Sequence, residues 1–133
     1  MLKGYLEPQT ERVYAALRII TGAMFAFHGV QKVLGVLTKA TPAVGSQMWI
    51  GGVIELVCGI AIAVGLFTRW AAFLASGTMA VAYAQFHWKF EFTSRFLPGV
   101  NRGELALTYA LLFLLFACRG AGLWSIDRTR GTN

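Results

Sequence analysis

Four apolar runs, joined by shorter stretches that carry the charges and prolines, set the pattern of this chain. They cover about residues 13–33, 47–66, 71–88 and 103–119. Each lies near the roughly 20 residues that an α-helix needs to cross a bilayer core. Within the first run, Arg18, Gly22, Phe25, Gly29 and Lys32 recur at helical spacing and share one face. That face is small or cationic, and Ile19, Ile20, Phe27 and Val30 supply apolar surface elsewhere. His28 flanks the same stripe, and Thr10 is placed to cap a helix starting near Glu11.

The second run, QMWIGGVIELVCGIAIAVGL, is apolar except for Glu55 near its middle. A carboxylate at that depth costs about 2.5–3.5 kcal/mol on insertion scales. Glu55 is therefore expected to face other helices and to have a partner. Gly51, Gly52 and Gly59 flank it at helical spacing and admit a close neighbour. The third run ends with Tyr83 and His87, four residues apart on one face. The connection from Lys89 to Arg102 is aromatic and basic, with a turn at Pro98-Gly99. Its phenylalanines suit the membrane interface or a lid. The fourth run opens with Glu104, where a carboxylate also suits the helix macrodipole.

These runs predict an all-α fold: a polytopic membrane protein, an up-down bundle of four helices, with residues 1–133 forming a single transmembrane domain. Composition strengthens this reading. The 133-residue chain is 56% hydrophobic and 14% charged, against about 25% charged in soluble domains. Its net charge of +6 does not point to nucleic acid, because the basic residues stand singly at the ends of apolar runs. Both termini are expected on one side. The basic tail and the short turn at Arg69 favour the cytoplasm for that side. The beginning MLKGYLEPQTER lacks the basic-then-apolar order of a signal peptide.

Depths along the runs bring candidate chemistry together. At about 1.5 Å per residue, His28, His87 and Glu104 fall near one level, with Glu55 about one turn beneath and Arg18 far below. This marks His28, Glu55, His87 and Glu104 as a candidate polar pocket facing away from the termini. Tyr83 and Tyr109 lie at similar depth, and Lys32 lies above. Each residue also has a plainer reading. Arg18 can be a counter-charge reaching toward Glu55 or down to headgroups, Lys32 can snorkel to the interface, and the histidines can be interfacial hydrogen-bonders. Two histidines at one level can also ligate haem or a metal, which is disfavoured because no local signature accompanies them. Cys58 and Cys118 lie far apart without a CxxC, so thiol–disulfide chemistry and a thiolate metal site are disfavoured.

At these residues the chain resembles the DoxX family of small membrane proteins. The resemblance rests on Arg18-x3-Gly22-x2-Phe25-x2-His28-Gly29-x2-Lys32 and Gly52-x2-Glu55-x3-Gly59-x5-Gly65-Leu66-x-Thr68-Arg69. His87, Asn101-Arg102-Gly103-Glu104-Leu105-Ala106-Leu107 and Gly120-x-Gly122-x2-Ser125-x-Asp127 extend it over nearly the whole chain. It implies a four-helix protein of the prokaryotic inner membrane, linked to redox modules. Relatives include the membrane subunit of thiosulfate:quinone oxidoreductase. Two functions follow as expectations. One is a membrane subunit of a quinone- or sulfur-linked redox module, docking a soluble oxidoreductase and offering a quinone pocket. The other is a non-enzymatic scaffold or small-solute permease in the lipid bilayer. Oligomeric state and substrate stay open.

Overall fold

The computed structural model describes residues 1–132, and their regular elements are all helical. Helix α1 (Leu2–Leu6) runs through a 3-10 turn (Glu7–Gln9) into the long α2 (Thr10–Leu34). Thr10 is therefore no cap: its hydroxyl donates to the Glu7 carbonyl at 2.8 Å, and helical backbone continues on both sides. Gly35 ends α2 in the left-handed conformation that favours glycine at this position. Helix α3 (Gln47–Val64) starts at Ser46, whose hydroxyl accepts the Trp49 N–H at 3.2 Å, and stops at left-handed Gly65.

Helix α4 (Thr68–Ala82) begins three residues before the apolar run does, because a distant carboxylate caps it. Phe67 takes a positive φ of 48°, and Asp127 accepts the N–H groups of Phe67 and Thr68 at 2.9 and 2.8 Å. At its other end α4 widens into a π-helical segment, Tyr83–Trp88, closed by the Lys89 N–H on the Ala84 carbonyl. A 3-10 turn (Ser94–Phe96) and the one-turn α5 (Pro98–Asn101) then lead to α6 (Glu104–Arg119) and the short α7 (Ile126–Thr129). Two helical stretches, Leu2–Leu34 and Gln47–Val64, are long and apolar enough to cross a membrane.

Helix α2 packs most closely on α3, and α4 on α6. Side chains would prevent the first approach. A Cβ on Gly22 would meet the Ala63 nitrogen at 2.5 Å, and one on Gly29 would meet the Leu56 nitrogen at 2.3 Å. These contacts run antiparallel, since residues ascend on one helix as they descend on the other. Gly59 meets the Ala26 backbone in the same way and Gly52 meets the Lys32 side chain, but Gly51 meets nothing, so only two of the three glycines expected at this seam belong to it. Between α2 and α6 the core is aromatic, with Phe25 against Phe113 at 4.6 Å and Tyr109 stacked on Phe113 at 5.3 Å.

Arg18 departs from its expected role. It is fully buried and does not reach Glu55. Its guanidinium donates to the carbonyls of Ile62, Ala63, Ala121, Leu123 and Trp124 at 2.6–3.0 Å. The antiparallel register explains this: Arg18 lies opposite the C-terminal end of α3, where carbonyls lack helical partners, whereas Glu55 lies nearer the other end of α2.

Candidate functional site

The register that separates Arg18 from Glu55 brings Lys32 to it. Close contact at Gly52 sets the Lys32 stem against α3, and the Lys32 ammonium lies 2.6 Å from Glu55 Oε1. Glu55 is nearly sealed, with 6% of its side chain exposed against 34% for Lys32. Lys32 thus neutralises a buried carboxylate, where the sequence suggested a side chain snorkelling alone. Glu55 Oε2 is buried and has no hydrogen-bond partner. Buried polar atoms are satisfied in the great majority of cases, so this oxygen marks a place where a donor belongs.

A cavity of about 220 Å³ opens beside it, lined by Lys32, Glu55, His28, His87, Arg102 and Tyr109, with Phe25, Met79, Leu105 and Ala106 completing the wall. Helix α2 supplies His28 and Lys32, α3 supplies Glu55, and the π-helical end of α4 supplies His87. The widened turn matters here, since such turns recur where a helix must redirect a side chain. His87 Nδ1 lies 3.2 Å from the Asn101 carbonyl. A carbonyl can only accept, so Nδ1 carries the hydrogen and a neutral ring keeps Nε2 as an acceptor. His28 sets its ring edge-on to Tyr109, with centroids 6.4 Å apart.

Three of the four sequence-derived pocket residues, His28, Glu55 and His87, therefore line one cavity. Glu104 is not in that lining. It is exposed on the first turn of α6, its carboxylate beside Gly99, as suits a macrodipole partner. Tyr109 lines the cavity, whereas the Tyr83 hydroxyl turns to the loop and donates to the Phe96 carbonyl at 2.7 Å. Five residues of the lining, Phe25, Met79, Arg102, Leu105 and Ala106, were not among the candidates. Arg102 and Met79 lacked a depth argument, because Arg102 lies in a connection and Met79 reads as ordinary core. The carbonyl of Asn101, which sets the His87 tautomer, leaves no trace in side-chain patterning.

A second cavity of about 610 Å³ runs along the groove between α3 and α4 and shares Lys32, Glu55, Met79, His87 and Ala106 with the first. Its remaining wall is mostly apolar, including the exposed Ile50, Phe73, Leu74, Val81 and Phe86. Among the described residues, no three His, Cys, Asp or Glu side chains gather as a metal-ligand set. The arrangement can hold a polar head between a cation, an anion and two imidazoles, with an apolar body alongside.

A family model described as DoxX matches residues 13–88. An uncharacterized protein of Haemophilus influenzae is 44% identical over 92% of this chain and 93% of its own length. No solved structure matches the chain.

Proposed function

Because this chain belongs to the DoxX family, and is a membrane protein, we propose that it is the membrane subunit of a quinone-linked redox module. It offers a cavity in which a quinone exchanges electrons with the redox group of a soluble oxidoreductase partner. The observation that carries this reading is the gathering of His28, Lys32, Glu55, His87 and Arg102 on one cavity whose other walls are apolar and aromatic. A quinone head needs polar partners at its oxygens and a flat apolar slot for its ring, and its reduction takes up protons with electrons. Histidine beside a carboxylate is suited to exchange those protons. Cys58 and Cys118 are free thiols, so the electrons are assigned to a partner's redox group.

In this reading α2, α3, α4 with its π-helical continuation, and α6 are four spans of one domain in the inner membrane, with both termini cytoplasmic. The Tyr14 hydroxyl on the Gly120 carbonyl supports a common side for the two ends, since it joins the start of α2 to the end of α6. His28, Glu55 and His87 are the residues we assign to the pocket, with Lys32 and Tyr109 supporting them.

The second reading, a scaffold or small-solute permease, is favoured by Arg18 alone, whose guanidinium is consumed by holding backbone together. Purification of the full chain in mild detergent, followed by solvent extraction of bound quinone, separates the two. Quinone is expected with the wild type and depleted in His28→Ala and His87→Ala. No quinone in the wild type, or equal quinone in both folded variants, favours the scaffold.

A further inference from the structure

The unpartnered oxygen of Glu55 narrows the ligand. Beside the donors of Lys32, Arg102 and Tyr109, two acceptors of the lining residues have no donor: Glu55 Oε2, which is buried, and the remaining ring nitrogen of His87, whose Nδ1–H is committed to Asn101. The groove between α3 and α4 reaches the same residues from an apolar flank that includes the exposed Phe73, Leu74 and Val81. We propose that the cavity at Lys32, Glu55 and His87 binds the reduced, hydroxyl-bearing form of a lipid-soluble aromatic, a quinol, which enters sideways from the bilayer between α3 and α4.

Wall charge and the unmet oxygen of Glu55 weigh against the simpler occupants. A cation would meet Lys32 and Arg102, which already outnumber the one carboxylate in the wall. An anion would suit Lys32 and Arg102 but, having no hydrogen to donate, would leave Glu55 Oε2 unmet. An acyl chain would fill the groove and leave Oε2 without a donor. A neutral head with two hydroxyls supplies O–H donors for Oε2 and for the imidazole while burying its ring against apolar walls. The oxidised quinone has only carbonyl oxygens there, which face a carboxylate oxygen instead of bonding to it. The pocket therefore discriminates between two redox states of one molecule through a single hydrogen bond to a charged acceptor. Such a bond contributes about 1.5–3 kcal/mol, or roughly tenfold to a hundredfold in affinity.

This inference rests on the quinone-linked reading and is tested separately from it. The full chain in detergent is titrated anaerobically with duroquinol and, in parallel, with duroquinone. The expected result is quinol binding at least about tenfold tighter than quinone binding, a preference that shrinks in Glu55→Gln and in His87→Phe. His87→Phe keeps the ring and removes the acceptor, so the test survives if Glu55→Gln fails to fold. Quinone bound as tightly as quinol overturns the inference and leaves the quinone-linked reading standing. So does a preference unchanged in the folded variants. Binding of neither probe, or a retained phospholipid that neither displaces, overturns both.

Discussion

Asp127 Oδ2 accepts the Thr68 N–H at 2.8 Å across 59 residues, so a carboxylate near the C-terminus caps a helix in the middle of the chain. Its Oδ1 takes the Phe67 N–H. Burial alone would raise the Asp127 carboxyl, but hydrogen bonds from Thr68 and Phe67 and the charge of Arg130 outweigh it and hold the group below its usual range. The ionised form is thus favoured by the fold. This contribution is fully present above the ordinary carboxylate value, about 3.9, and is lost as pH falls through the lower folded value. Asp127→Ala is expected to cost about 0.5–2 kcal/mol near neutral pH and to flatten the acid limb of stability. Thermal unfolding in detergent across that limb checks it, and parallel acid limbs for variant and wild type would refute it.

Arg18 acts near the same end of the molecule. Its five carbonyl acceptors lie on the end of α3 and on the segment after α6. Lysine keeps the charge but has three donors and no planar fork. Arg18→Lys should leave at least two buried carbonyls unmet, at about 1–3 kcal/mol each. The melting temperature should fall well below wild type without change at the Glu55 cavity. A wild-type melting temperature would show that the clasp is dispensable.

The seam between α2 and α3 depends on missing Cβ atoms. Gly29→Ala puts a methyl 2.3 Å from the Leu56 nitrogen, with backbone rather than a flexible side chain in the way. Gly51→Ala meets nothing within 4 Å. Overpacking costs about 1–3 kcal/mol, so Gly29→Ala should lower folded yield by size-exclusion profile and Gly51→Ala should not. Equal yields would mean that the two helices can separate freely.

Much of this arrangement was legible in the sequence because it follows from periodicity and from the energetic cost of burying charge. Glu55 had to face protein, and the small face of α2 had to be a contact surface. The partner of Glu55 was not legible. Arg18 and Lys32 lie on the same helical stripe, and only the register of α2 on α3 decides between them. Depth counting placed His28 and His87 well, since rise per residue is fixed within a helix. It failed for Glu104, because equal depth does not fix the direction in which a side chain points. Asp127 was invisible as a cap, since the N–H groups it satisfies lie on a turn about sixty residues away.

The four-span arrangement is tested by labelling. With Cys58 and Cys118 replaced, single cysteines at Tyr5, Ala40, Arg95 and Arg130 are treated with a membrane-impermeant maleimide in intact cells and in inverted vesicles. Tyr5→Cys and Arg130→Cys should label only from the cytoplasmic side, and Ala40→Cys and Arg95→Cys only from the other. Labelling of the first pair from opposite sides would remove the even number of crossings.

The ion pair of Lys32 and Glu55 offers the most discriminating measurement of stability. Removing one member of a buried pair strands the other charge, at about 3–5 kcal/mol. Lys32 keeps 34% of its side chain exposed, so solvent screening brings the expected cost to the low end, about 3 kcal/mol or less. Lys32→Met leaves Glu55 without its ammonium, whereas Lys32→Met combined with Glu55→Gln leaves no charge to strand, and the amide can still hydrogen-bond. The double variant should therefore be more stable than Lys32→Met alone. Glu55→Gln alone should cost less than Glu55→Leu, which leaves no polar atom for Lys32. Reversible unfolding in mixed micelles, arranged as a double-mutant cycle, reads the coupling directly. Strictly additive effects would mean that the 2.6 Å contact contributes nothing to stability, and that the carboxylate is retained for what it binds.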